Sequence, residues 1–447
     1  MPQRTIYLDV SELLARKLHT GIQRVVRQIA RASMALNSEV SDEIVPVVTI
    51  GQYLYPLTIE GKRSLTEPPV RSFSAPTAGD SPVKRFVRDT LRLFPPLYKL
   101  LQERYVRGLL RGLYSAKRAR TKAGDVYVIL GSFWGGSTSA AAATTAARSA
   151  CAVVPVIYDL IPISHPQFCD DQNVRSFVRD FGTLMPISSG MVTISKYSAT
   201  EIKDYLVANG IVIPVRHFYL GANLESGSEG RVEDLGSWPD ALHQPGVEIY
   251  TIVGTIEPRK GHAAVLDGFE RLWADGSNDR LLIIGKVGWS MDAFMSRCEG
   301  HPELGRRLFL VHTATDGMVA EAYRFSRAAI IASSVEGFGL PLVEALYKGL
   351  PVIASDIPVF REIASDQVLY FKLDDGADLA RAVREMAANG QAYRAGAAKF
   401  TWIDWQESAR QFLAAVAEVS GGIPAARTHP VDGNGNAITG SDHATLR

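Results

Sequence analysis

Two glutamates eight positions apart, Glu336 and Glu344, flank a turn containing Gly337, Gly339 and Pro341 in the stretch "SSVEGFGLPLVEALYKGLP". The glycines let a backbone approach a ligand closely and leave its amides free. Pro341 suits the first turn of a helix that starts near Leu340, so Glu344 falls about one turn in, on a face that can look back at the loop. A carboxylate there can accept two hydrogen bonds from a vicinal diol such as a ribose, and Glu336 could do the same for a second sugar. The bland alternative is a capping glutamate followed by an exposed helical one. Some eighty residues earlier, "GTIEPRKGH" (254–262) sets Arg259 and Lys260 side by side just ahead of another helix. Backbone amides and two cations suit a diphosphate, and would stabilise a leaving group that gains negative charge. Taken alone, that pair also fits an ordinary solvent-facing turn. Two acidic residues around one glycine turn in the same domain shift the weight to function.

These loops need strands to hold them. Short β-branched runs at 5–10, 44–50, 126–130, 152–158, 191–195 and 213–220 read as buried strands. A second series follows at 247–253, 280–285, 307–311, 328–333, 351–355 and 367–371. Nearly continuous apolar strands separated by helices predict parallel sheets covered on both faces. Between the series lies a Gly/Ser/acidic stretch, 222–246, with linker chemistry. The expected fold class is α/β, with two doubly wound Rossmann-like domains, 1–221 and 247–403, facing a central cleft. Helices near 376–389 and 404–419, with Trp402 and Trp405, are expected to pack back across that cleft, 404–420 as a crossing helix. Apolar packing alone is the other reading of those tryptophans. The Gly/Pro/Asn-rich tail 421–447 reads as disordered. In open α/β sheets ligands bind beyond the carboxyl ends of the strands, which is where both loops fall.

Length, 447 residues, suits two or three domains with sizeable cores, and a formal charge of +1 gives no global field toward nucleic acid. Three cysteines, Cys151, Cys169 and Cys298, are odd in number and lack metal-ligand spacing, which fits a reducing compartment. No Asp-x-Asp or His cluster offers a metal site. The start shows no signal pattern, and no uninterrupted apolar run reaches the roughly 18 residues of a membrane span. The expectation is a cytosolic protein. One segment departs from the average: 62–122 carries 15 Lys/Arg against 4 Asp/Glu. Leu97, Leu101, Tyr105, Leu109 and Leu113 repeat every four residues there, with Arg104, Arg107, Arg111 and Arg118 on another side. Such a basic amphipathic helix can lie on the anionic inner face of a membrane, or pack on the first domain with a solvated basic face.

"GTIEPRKGH" followed by "SSVEGFGLPLVEALYKGLPVIASDIPVFREI" resembles the donor domain of retaining family-4 glycosyltransferases, whose two-domain fold is GT-B and whose signature is Glu-x7-Glu. The resemblance is strong over 247–372 and looser before. It implies that Arg259 and Lys260 hold a donor diphosphate, that Glu344 holds the nucleotide ribose, and that Glu336 lies by the donor sugar hydroxyls. Phe338 and Gly339 would lend backbone contacts, and Gly254, Thr255, Gly337 and Leu340 complete the expected donor-binding set. "HTGIQRVVRQIA" (19–30) resembles the family's Gly-containing loop, with Gly21 facing the donor phosphates or the acceptor. "TISKYSATEI" (193–202) resembles its strand-to-helix turn, with Ser195 as a helix cap near the cleft. Two positions depart from the pattern. Tyr158-Asp159 stands where the family often shows His-Asp, leaving Asp159 as the catalytic candidate. Thr255 replaces a frequent Arg, so the cationic load rests on Arg259 and Lys260.

The resemblance implies a retaining hexosyltransferase with a nucleotide diphosphate sugar as donor substrate. With Arg259 and Lys260 in place of a divalent metal and no Asp-x-Asp or His cluster, no metal or cofactor is expected. GDP-mannose or a related GDP-sugar is the favoured donor, and a lipid-diphosphate-linked glycan or a saccharide the acceptor, in polysaccharide or O-antigen assembly. Two rivals stand beside it: a sugar-nucleotide epimerase or phosphorylase on the same scaffold, and a non-catalytic nucleotide-sugar sensor. A phosphorylase would need a pyridoxal lysine site, which the sequence does not display.

Overall fold

Each of the twelve apolar runs becomes a strand, and the strands sort into two sheets. The computed structural model describes residues 4–15, 21–38, 41–66, 112–115, 117–222, 246–373 and 375–421, with Trp238, Leu242 and Gln244 besides. The first sheet holds β1 (Thr5–Asp9), β2 (Glu43–Ile50), β3 (Tyr53–Pro56), β4 (Val126–Ile129), β5 (Ala152–Ile157), β6 (Met191–Thr193) and β7 (Val215–His217), in the order β3-β2-β1-β4-β5-β6-β7. The second holds β8 (Ile249–Val253), β9 (Arg280–Ile284), β10 (Leu308–Val311), β11 (Ala328–Ile331), β12 (Val352–Ser355) and β13 (Leu369–Phe371), in the order β10-β9-β8-β11-β12-β13. All neighbours are parallel except β2 and β3, a hairpin turned by Gly51 at φ +60. That edge strand is absent from the sequence reading. It is four residues long and ends in Pro56, a residue that an edge strand accommodates readily.

The strand order decides where ligands can enter. In the second sheet the chain winds outward from β8 through β9 to β10, then restarts at β11 and winds the other way. β8 and β11 are neighbours, Tyr250 facing Ala328. The connections beyond their carboxyl ends therefore part, and a crevice opens between them. The two loops singled out above are the ones that follow these two strands.

Helix Gly376–Ala397 packs on helix His262–Ala274 and beside β12 and β13. The expectation that it crosses the cleft does not hold, because its apolar stripe (Leu379, Val383, Met386) is matched to the second core. Helix Trp405–Ser420 instead lies on helix Gly21–Ala35 and on β5, β6 and β7, burying Ala409, Phe412, Val416 and Val419 at helical spacing. The joint is specific: Trp402 donates its indole N–H to the Leu220 carbonyl at 2.7 Å, and Ala222 N–H donates to Ile403 O at 3.2 Å. A Cβ on Gly221 would sit 2.6 Å from the Trp405 nitrogen. Both tryptophans are packing residues here.

Of the basic segment, residues 67–111 and Ala116 lie outside the described residues, as do most of 222–246 and all of 422–447. Among the described residues, no helix is long and apolar enough to cross a membrane.

Candidate active site

Gly254 carries the chain out of β8 at φ +150, its N–H held by the Ile284 carbonyl at 2.9 Å, and Thr255 stands exposed beyond it. A short turn, Pro258–Lys260, then leads through Gly261 at φ +67 into helix His262–Ala274. A Cβ at Gly261 would lie 2.1 Å from the Ala332 carbonyl oxygen, so a residue without one is needed where this loop meets the end of β11. Ser334 N–H completes the join, donating to Arg259 O at 2.8 Å.

Glu336 is the hub of the two loops. Arg259 Nη1 lies 2.9 Å from its Oε1, Lys260 Nζ bonds the same oxygen, and Ser333 Oγ donates to it at 2.8 Å. Arg259 also reaches Glu257 through Nη2 at 2.8 Å. Burial alone would raise the Glu336 carboxyl, but Arg259 and then Lys260 outweigh it and hold it at about 2. Burial lowers the Lys260 ammonium, and Arg259 beside it adds to that, with Glu336 opposing. Burial likewise disfavours the charged guanidinium of Arg259, yet Glu336, Glu257 and Asp159 together win and raise its pKa. The sequence reading assigns phosphates to the cations and hydroxyls to the carboxylate. The structure puts the two sets against each other, because buried charges must be paired. Next in line, His262 is buried and pushed down to about 4, so its ring stays neutral.

Asp159 reaches this cluster from the other domain. It follows β5, is half-buried, and accepts from Ile161 N–H at 3.0 Å. Burial raises its carboxyl, with Arg259 opposing and Glu336 adding, which places it in electrostatic contact with both. Tyr158 takes no part: its hydroxyl points inward and donates to the Leu130 carbonyl at 2.7 Å. Gly337 is what lets the domains approach, since a Cβ there would lie 2.3 Å from Tyr158 O.

Ser195 stands at the same seam. Its Oγ accepts from Ser198 N–H at 3.0 Å, capping helix Lys196–Ala208, and donates to the Gly337 carbonyl at 2.8 Å. Glu362, from the second domain, accepts from the Lys196 and Tyr197 amides at 2.7 and 2.8 Å. Ser195→Ala removes a cap and an interdomain bond together. An unfolding free energy lower by about 1–2 kcal/mol is expected in urea titration. An unchanged value would show that neither bond contributes.

The remaining candidates divide. Gly339, at φ +102, is the N-cap of helix Leu340–Tyr347, and a Cβ on it would meet Phe360 Cε1 at 2.5 Å. The Phe338 ring is buried against Trp402, so only its backbone can serve a ligand. Glu344 is buried in that helix and pairs with Arg24 at 2.5 Å. Gly21 is the exposed first residue of the helix that carries Arg24. The sequence analysis assigns no role to Arg24, Glu362 or Ser198. All three lie within the stretches given above, but each meets a partner from a distant part of the chain, Glu344, the Lys196 amide and the Gly337 carbonyl respectively.

Residues 239–399 match the family model described as Glycosyl transferases group 1. Over 277 residues the chain is 35% identical to the serotype-specific mannosyltransferase WbdA of Escherichia coli, a match covering 60% of this chain and 33% of that protein. It is 27% identical over 137 residues to the O-antigen chain mannosyltransferase RfbU of Salmonella typhimurium, covering 31% of this chain and 38% of that one. The chain spans about a third of the length of the first curated relatives it matches. Among solved structures, sucrose-phosphate synthase from Thermosynechococcus elongatus superposes with a TM-score of 0.55 at 16% identity, covering 94% of this chain and 98% of that one. A glycosyltransferase from Rickettsia africae ESF-5 gives 0.54 at 13% identity, covering 94% and 99%. At such identities the likeness shows the fold.

Proposed function

We propose that this chain, which has the GT-B fold and matches the family model Glycosyl transferases group 1 over 239–399, is a retaining hexosyltransferase. The donor is a nucleotide diphosphate sugar, GDP-mannose or a related GDP-sugar, a choice supported by the mannosyltransferase relatives. The acceptor is a lipid-diphosphate-linked glycan or a saccharide in polysaccharide or O-antigen assembly. The basic segment 62–122 supports work at an anionic membrane surface.

The observation that carries this reading is the cluster of Arg259, Lys260 and Glu336 at the switch point of the second sheet, with Asp159 entering from the first domain. In the proposed reaction the bond between the sugar C1 and the diphosphate oxygen breaks. The acceptor oxygen bonds C1 on the same face, and its proton passes to the departing phosphate oxygen. Arg259 and Lys260 meet the charge that collects on the diphosphate, in place of a divalent metal. The diphosphate draws the two cations from Glu336, and the carboxylate turns to sugar hydroxyls. Glu344 holds the ribose, and Asp159 orients the acceptor hydroxyl.

Incubation with a panel of nucleotide sugars tests this. Slow nucleoside diphosphate release, fastest from GDP-mannose and insensitive to a chelator, is expected. Inversion at the sugar C2 would make the protein an epimerase, and binding without turnover a sensor.

A further inference from the structure

Helix Gly21–Ala35 belongs to the first domain and Glu344 to the second, yet Arg24 Nη1 meets Glu344 Oε1 at 2.5 Å across 320 residues of sequence. The Glu344 side chain is 9% exposed and that of Arg24 34%, so the bond closes over a carboxylate largely withdrawn from water. A charge in that position needs a partner, and a guanidinium supplies one with a fixed direction. A carboxylate accepts at about four lone-pair positions, so a bond from Arg24 and two from a diol can fit on one carboxylate.

A second, separate observation falls at the same place. Tyr323, on helix Asp316–Phe325, is 2% exposed, and its hydroxyl has no hydrogen-bond partner among the described residues. After burial, the charge acting most on that phenol is Glu344, followed by Arg24. Buried hydroxyls are seldom left unpaired, and this one belongs to the core cluster that includes Val343 and Ala345, the residues on either side of Glu344.

We propose that Arg24 is a positioning residue of the donor site: it grips Glu344 from across the cleft and sets the carboxylate so that it, with the Tyr323 hydroxyl, receives the ribose diol. This rests on the nucleotide-sugar reading above and extends it. The ribose clamp is then built from both domains and is complete only when they are together. Donor binding and domain approach are coupled through it, each favouring the other.

Calorimetric titration with GDP, UDP and ADP, and with the 2′,3′-dideoxy form of whichever binds best, separates the outcomes. Arg24→Ala is expected to weaken the ribonucleotide about tenfold, the order of one charged hydrogen bond. The dideoxy ligand, lacking the diol, should change by less than about twofold, Arg24→Lys should recover part of the loss, and Tyr323→Phe should lose about threefold on the ribonucleotide only. With saturating donor sugar, kcat of Arg24→Ala should stay within about threefold of wild type while the donor KM rises. Equal weakening of both ligands by Arg24→Ala would overturn the proposal, since Arg24 would then act on the phosphates or on the fold. Tighter binding by that variant would overturn it too, marking Arg24 as a competitor for Glu344. A wild-type protein that binds none of the three nucleotides overturns the donor reading itself, and this proposal with it.

Discussion

Lys260→Ala is expected to lower turnover by about two to three orders of magnitude and to leave the fold intact. Removal of one preorganised donor at a site of developing charge costs about 3–4 kcal/mol of transition-state stabilisation. The stability cost is much smaller, for two reasons visible in the site. Glu336 keeps Arg259 and Ser333 on the same oxygen, so no buried carboxylate is left bare. Burial and Arg259 already disfavour the Lys260 ammonium, so its loss relieves as well as removes. Steady-state rates with the best donor, set beside a urea unfolding curve, check both halves. Wild-type turnover in the variant would remove Lys260 from the chemistry.

Glu336→Gln should show the opposite balance, a large loss of stability as well as activity. The substitution keeps the shape and deletes the charge that two buried cations share. Breaking one partner of a buried ionic cluster costs roughly 3–5 kcal/mol. The pH dependence carries the signature. The carboxyl is held at about 2 against its ordinary value of 4.5, so its contribution to stability is fully present above about 4.5 and is lost as pH falls through about 2. The gap in unfolding free energy between wild type and variant should thus be constant from neutrality down to about pH 5 and shrink below that. A gap that stayed constant down to pH 2 would mean that the shared charge is not what the variant lost.

How much of this was legible in the sequence follows from what each feature depends on. Buried parallel strands announce themselves as β-branched runs, and the two chemical loops sit where those runs stop, so the fold and the Arg-Lys and Glu-Gly-Phe-Gly segments could be read directly. Hairpin strand β3 could not, because four residues with a proline carry no period. The pairing of Glu336 with Lys260 depends on β8 and β11 being neighbours, which is a matter of strand order rather than of any local pattern. Arg24 with Glu344, and Glu362 with the amides of Lys196 and Tyr197, depend on two domains meeting, and nothing local to either partner reports it.

The chain leaves the first sheet at Leu220–Ala222 and comes back to it at Trp402–Trp405, and the two passages are bonded side by side. Two bodies tied by one strand can swing and twist in any direction. Tied by two passages fastened together, they have fewer directions open to them than a single tether would leave. That makes Gly221, where even a methyl group would strike the Trp405 backbone, the residue that lets the two passages lie so close. A side chain there would have to push the two passages apart, since its Cβ would lie within 2.8 Å of the Asp404 and Trp405 backbone.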